Sequence, residues 1–470
     1  MSAPEEQPPI SLMSRIGKWL FWLAVVMLLP WAFKFFESLR GERAWGLMLT
    51  QMAAQGHRTN YSVLIPPPIP DDQNFYKTAI AQRWLPRKGS NEPDPVDFPR
   101  EHRAFQYPYR MADLKGLPKT PSGGDTNQPS LEALEKWFDQ WESQFEELHH
   151  ALKLPRARLD GDYSEPFSAP QSNYQRFRML AFVLASRSKV NLLTDHPQKA
   201  VRDLGTMQGL MTPLGEPPHS HVSSLFRLAI GGLYSDAVRE ILREKALGEI
   251  ELKEIQEQLS GMDVLTEAWR SIHETERLSM CHLEESMSGP GLLKSTGMTN
   301  EPVARALRLS QGLFWQHQIN ASRSLLGYFP AFDPKARRFN VSALESAERN
   351  RNAARSSWNP YTRLNDLSPN GFRMAMVQAV YNQTKLDQAL IACALERYRL
   401  AKGSYPKTLA ELTPTFLEKR PHDLFTGKDF IYHSDATNSF KLYSVGYNGI
   451  DDGGKEGIKP GDKEALDWVW

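Results

Sequence analysis

The sequence predicts a three-part chain: an N-terminal transmembrane helix, a mainly α middle domain built as a helical array, and a small α+β domain at the C-terminal end. Three observations predict it. One apolar run of bilayer length lies near the N-terminus, and from Leu131 onward apolar residues recur at three- and four-residue steps. Beyond Gly403 the pattern changes to short strand-like runs divided by glycine and aspartate.

The averages conceal this partition. With 470 residues, 41% hydrophobic and 24% charged, the chain is long enough for two or three domains and is excluded from wholesale disorder. A mean hydropathy of −0.49 excludes a polytopic membrane protein. Lys+Arg number 56 against 55 Asp+Glu, which lacks the cationic excess that nucleic-acid binding rests on, so no nucleic-acid partner is expected. Two cysteines, Cys281 and Cys393, exclude a disulfide scaffold and a thiolate metal cluster, and both are expected reduced and buried.

Trp19 to Phe33 is a run of fifteen residues without a charged or strongly polar side chain, and Ile16–Phe36 extends it to twenty-one if Lys18 and Lys34 snorkel. At about 1.5 Å per residue the longer run spans a bilayer core. Trp19, Trp22 and Trp31 suit the interfacial belts. No small-residue cleavage site follows, so an uncleaved anchor at 16–36 is expected, with 1–15 as its flanking tail. Basic residues stand on both sides, and charge alone leaves the orientation open. Residues 37–130 read as a helical extension and a proline-rich strap, because 61–130 hold twelve of the 33 prolines, including IPPPIP at 65–70 and EPDP at 92–95.

The α-helical domain is expected over 131–370. Leu131, Leu134, Trp137, Phe138, Trp141, Phe145, Leu148 and Leu152 form one apolar stripe. Further helices are predicted near 172–194, 198–212, 220–246, 249–260, 263–287, 301–328 and 341–357, divided by proline and glycine. No clean 34-residue period appears, so the array is irregular. Within it His273-Glu274-Thr275-Glu276-Arg277 is the string nearest to a zinc-protease helix, but Arg277 stands where the second histidine is needed. His282, nine positions on, falls on the opposite helix face. A charged, solvated face explains these residues better. The competing reading is a hydrolase whose site uses His273, Glu274, Glu276 and His282.

The C-terminal domain, 371–470, opens on a long helix at 371–402 with Met374, Val377, Val380, Leu386, Leu390, Cys393 and Tyr398 on its apolar side. A short helix at 408–418, strands at 430–433 and 440–445, and a Gly/Asp loop at 446–454 complete it.

That order of motifs carries a resemblance. Ala394-Leu395-Glu396-Arg397-Tyr398 through Gly403-Ser404-Tyr405-Pro406, then Pro421-His422-Asp423-Leu424-Phe425-Thr426-Gly427, then Lys441-Leu442-Tyr443-Ser444-Val445-Gly446 and the terminal Asp467-x-Val469-Trp470, resembles the globular domain of the major pseudopilin of type II secretion systems. The whole chain, with Pro66-Pro67-Pro68 and Pro70-Asp71-Asp72-Gln73-Asn74-Phe75 in the strap, also resembles large membrane-anchored proteins of some bacteria. The first likeness departs at the anchor, where Gly17 is followed by Lys18-Trp19-Leu20-Phe21-Trp22 in place of the family's Phe-Thr-Leu-x-Glu processing site.

The resemblance implies a pilin-like fold and a calcium loop. Asn448, Asp451, Asp452, Asp462 and Asp467 supply the hard oxygens that Ca²⁺ takes, and the interspersed glycines let the backbone curl around an ion. It also implies that the bulk of the chain lies outside the cytoplasm, anchored to a bacterial inner membrane by one helix in the lipid bilayer with 1–15 inside. A non-enzymatic interaction or structural protein, associated with a secretion system through protein partners, is the function this implies.

Overall fold

The computed structural model describes residues 12–85, 103–120, 130–164, 166, 169–215, 220–287, 311–354, 371–435, 439–457, 460 and 466–470. Helix α1, Leu12–Ala54, runs for 43 residues, about 65 Å. The helix is apolar and exposed all round in its first half, with Trp19 79%, Phe21 62%, Leu28 64% and Trp31 63% accessible. By length and composition it can cross a membrane, and no fold core covers that stretch. Lys34 lies with Nζ 5.4 Å from the centre of the Trp31 ring, its stem along the apolar surface.

Short helices follow in the strap: α2 Ala79–Trp84, α3 Arg103–Gln106 and α4 Met111–Lys115. The expected helix over 131–152 is two, α5 Leu131–Asp139 and α6 Glu142–Ala151, separated near Trp141. Next come α7 Tyr174–Leu193, α8 Pro197–Gly209, α9 Thr212–Gly215, α10 His221–Arg243 and α11 Glu249–Ser260. The chain continues through α12 Val264–Arg270, one π-helical turn at Ser271–Glu276, and α13 Arg277–Met287. Helices α14 Gln311–Leu326, α15 Val341–Ala354 and α16 Phe372–Lys402 complete the helical part. Ser130, Asn173, Ser220 and Asp263 each accept a first-turn backbone N–H of α5, α7, α10 and α12, so these starts are written in the sequence. Residues 301–310 and 355–357 of two expected helices, and EPDP at 92–95, lie outside the described residues.

Two antiparallel sheets are present among the described residues. Strands β1 Phe332–Asp333 and β2 Arg338–Phe339 form a small hairpin ahead of α15. The second sheet has the order β3-β4-β5, from Ile431–Ser434, Phe440–Ser444 and Trp468–Val469, with Tyr432 facing Leu442 and Ser444 facing Trp468. The first two strands fall where the sequence predicts them, and β5 is an addition. In place of the helix expected at 408–418 there is one 3-10 turn, Leu409–Leu412, closed by Thr408 and Glu411 as a capping box.

The chain forms two compact units. One comprises Met1–Asn60, Leu278–Arg323 and Ala353–Ser368. There α1 is covered from Glu37 onward: Trp45, Met48 and Met52 are buried, and Trp45 packs on Trp315 of α14 with ring centres 6.2 Å apart. Gln318 of α14 donates to the carbonyls of Met280 (3.2 Å) and Cys281 (3.1 Å).

The other unit comprises Tyr61–Arg277, Ser324–Asn352 and Pro369–Trp470. At its centre lies α16, packed against α10, α11 and α12 as well as against the sheet. The expectation of one apolar side is therefore corrected: Met374 is 56% exposed, whereas Asn382, Gln383, Thr384, Asp387 and Gln388 are buried with the apolar residues. Backbone groups satisfy these polar side chains. Asn382 donates to Leu228 O (2.7 Å), and Gln383 donates to Met262 O (3.2 Å) while accepting from Val264 N (3.0 Å). The long helix that opens the C-terminal segment is thus shared with the helical array.

Candidate functional site

The Gly/Asp loop leaves β4 at Ser444 and turns at Gly446. There φ is +66°, and an added Cβ would stand 3.0 Å from Leu466 O, so only glycine fits without strain. The loop folds back to the start of β5 and brings four of the five candidate ligands into one neighbourhood; Asp462 lies outside the described residues. Asp467 is fully buried, and its Oδ2 accepts from the backbone N–H groups of Asp452 (3.0 Å) and Gly454 (2.6 Å). Its Oδ1 is buried and has no partner among the described residues. Burial pushes the Asp467 carboxyl up from its usual range, and Asp451 and Asp452 add to this against the two N–H groups that favour the ionised form.

The other acids are engaged within the loop. Asp451 Oδ1 accepts from Tyr443 OH (3.1 Å) and Gly453 N (2.9 Å), and Asp452 Oδ2 accepts from the Asn448 amide (2.9 Å). Asn448 Oδ1 in turn accepts from Ile450 N (2.9 Å), and Lys441 Nζ donates to Gly453 O (2.8 Å). Among the described residues, no three acidic, histidine or cysteine side chains converge as a ligand set. What suits a hard cation is the buried Asp467 Oδ1 beside Asp451 and Asp452; what opposes it is the Lys441 ammonium on a loop carbonyl.

The charged, solvated face expected at His273–Arg277 is corrected: His273, Thr275 and Arg277 are buried. His273 is buried and its Nδ1–H donates to Trp269 O at 2.6 Å, a carbonyl that an α-helix assigns to the N–H of residue 273. This lies on the π-turn, where Arg277 Nε returns to His273 O (2.8 Å). Glu276 accepts from His221 N (3.1 Å), and its burial raises its pKa. Glu274 and His282 are half-buried. No disulfide joins the two cysteines: Cys393 is buried as expected, which pushes its thiol pKa up, whereas Cys281, also expected buried, is half-buried, with Sγ 3.5 Å from Ser322 Oγ.

A polar cleft of about 830 Å³ was not read from the sequence. Asp387 of α16 lies at its base, pushed up to about 6 by burial against the pull of Arg337. Arg337 Nη2 reaches Asp387 at 3.1 and 3.3 Å, and Arg337 Nη1 stands 3.7 Å from Asp263. Arg397 is fixed by Glu249 (2.8 Å), Gln256 (2.9 Å) and Phe416 O (3.2 Å). The cleft's main charges therefore neutralise one another. The sequence does not mark it, because Asp387 stands in the polar stretch Asn382–Gln388 of α16.

Comparison of the chain with family models, curated proteins and solved structures found no match.

Proposed function

We propose that this protein is a single-pass, non-enzymatic interaction protein of a bacterial inner membrane, with its bulk on the outer side and its pseudopilin-like C-terminal segment serving a secretion or pilus-like assembly. One observation carries the anchoring: the surface of α1 changes at Glu37. Before it, apolar side chains are exposed around the whole helix; from it onward, Trp45, Met48 and Met52 are buried under protein. A helix surface apolar on all sides is stable only where lipid replaces water. The C-terminal part of the proposal rests on the motif order and on the β3–β4 hairpin and Gly/Asp loop that follow the long helix. Within this reading Asp467, Asp451 and Asp452 would hold a calcium ion, which would satisfy the buried Asp467 Oδ1 and stiffen the loop.

Protease treatment of intact spheroplasts, with blotting of the C-terminal segment, tests the placement. Degradation without lysis is expected, together with retention of the undigested chain in membranes after carbonate washing. Protection until lysis overturns the placement. Affinity purification from detergent extracts tests the assembly: secretion-system components should co-purify, and recovery of the protein alone removes that part.

A further inference from the structure

A second cavity, of about 370 Å³, lies where the strap residues Tyr107–Arg110 cross α7 and α10. Its wall carries four basic side chains, Arg110, Lys189, Arg239 and Arg243, against two acidic ones, Asp236 and Glu240. Both acids are already engaged. Glu240 pairs with Lys189 and accepts from Met111 N (3.3 Å), and Asp236 pairs with Lys385 of α16. Lys189 is spent twice over, because it also donates to Tyr109 O (2.9 Å).

The arginines are left in excess. Arg239 and Arg243 stand one turn apart on α10, so they project to the same side. Arg239 has the largely exposed Glu456 carboxylate at 3.7 Å, and among the described residues its buried Nε has no hydrogen-bond partner. Arg243 makes no side-chain hydrogen bond or ion pair among the described residues. Burial and the adjacent Arg239 charge push the Arg243 guanidinium down from its usual range, against the weaker pull of Glu456 and Glu240. The C-terminal end of α10 offers Arg243 partial negative charge, but that effect fades within one turn and leaves Arg239 with the exposed Glu456 as its counter-charge.

We propose that this cavity binds a small soluble dianion, a phosphomonoester or a dicarboxylate, clamped between Arg239 and Arg243. Guanidinium forks match carboxylate and phosphoryl oxygens bidentately, and a doubly charged group answers two adjacent cations. The volume is that of a small-molecule site, and Tyr107 stands at its wall as an aromatic surface for the rest of the ligand. Glu456 is the internal competitor: its carboxylate lies nearest to the Arg239 fork and must yield to the ligand. The site goes beyond the proposed function and stands whether or not that reading holds.

Isothermal titration calorimetry on the detergent-solubilised full chain tests it, with inorganic phosphate and succinate as probes and chloride at matched ionic strength as the blank. Saturable binding of at least one probe is expected; phosphate alone assigns the site to phosphoryl groups, and succinate alone to dicarboxylates. Arg243→Gln should weaken binding by about tenfold or more, and Arg243→Lys, which keeps the charge but not the fork, by less. Glu456→Gln, on an exposed side chain that leaves folding undisturbed, should tighten it. Absence of saturable binding of either probe up to about 10 mM, or binding unchanged in both Arg243→Gln and Glu456→Gln, overturns the proposal.

Discussion

The side-chain amide of Gln388, midway along α16, donates to the carbonyl of Trp468 in β5 at 2.7 Å, and both residues are buried. Trp468 is also gripped edge-on by Tyr381 (4.9 Å between ring centres) and Phe425 (5.1 Å). The two-residue strand β5 has little ladder of its own, so these contacts hold it against β4. Gln388→Leu keeps the volume and leaves the Trp468 carbonyl unpaired in a buried place, although it also removes the buried Oε1 that has no partner. We expect a loss of about 1–2 kcal/mol, read in urea unfolding, with Trp468 reporting a wetter environment in fluorescence before the global transition. An unchanged midpoint would show that the aromatic grip alone suffices.

Gly312 of α14 meets the backbone of α1 with no room to spare: an added Cβ would lie 2.4 Å from the Glu37 carbonyl carbon and 2.6 Å from Ser38 N. Backbone cannot move aside as a flexible side chain can. Gly312→Val should therefore force α14 off α1 and cost about 3 kcal/mol or more of local stability, in the range of overpacked cores. Limited proteolysis in detergent checks it: cleavage within 311–323 should quicken severalfold while the 371–470 segment keeps its resistance.

How much of this was legible in the sequence depends on whether one residue's neighbours are local. The apolar helix α1, the starts at Ser130, Asn173, Ser220 and Asp263, and the β3–β4 hairpin are set by runs and caps a few residues long, and periodicity finds them. Helix α16 was legible as a helix and misread as one-sided. Its Asn382 and Gln383 mimic a solvated face, and only the partners Leu228 O and Met262 O, more than a hundred residues away, bury them. Separation in sequence likewise hides the Asp387–Arg337 pair, 50 positions apart, and the cavity between the strap and α10. In the Gly/Asp loop the acids were found by composition. The Lys441 ammonium on Gly453 O was not, because a strand residue twelve positions upstream gives no local sign of reaching the loop.

His221 packs edge-on against Phe372 with ring centres 5.0 Å apart, and its buried Nδ1 has no partner among the described residues. Burial pushes it down to about 4, whereas in the unfolded chain a histidine titrates near 6.5. Between those values the unfolded chain binds the extra proton, so this group's contribution to stability is present above about 6.5 and is lost as pH falls toward 4. Asp387, pushed up to about 6, and Asp203, pushed up to about 7, act in the opposite sense, because the folded chain keeps their protons as pH rises from about 4. Comparison with His221→Phe isolates the histidine. The stability difference between variant and parent should shift in the variant's favour by up to roughly 3 kcal/mol between pH 6.5 and 4, read as melting temperatures across that range. A constant difference would mean that His221 stays charged in the fold.

The Gly/Asp loop gives the last prediction, because its electrostatics set two changes against each other. Asp467 presents a buried, unpartnered oxygen that only a cation or a proton would satisfy, and its raised pKa means that cation binding must compete with protonation. Calcium should therefore raise the melting temperature, more at pH 7 than at pH 5, and chelator should remove the gain; at a hundredfold excess over Kd the stabilisation is about 2.7 kcal/mol. Asp467→Asn keeps the shape, removes the charge and should abolish the response. Lys441→Met should do the reverse, because it takes a positive charge away from Gly453 O and frees that carbonyl as a donor. A tighter calcium response in Lys441→Met and none in Asp467→Asn identifies the loop as the site. Equal melting temperatures in calcium and chelator, for the parent and for Lys441→Met alike, would mean that the loop takes no ion and that the backbone N–H groups of Asp452 and Gly454 suffice to hold Asp467.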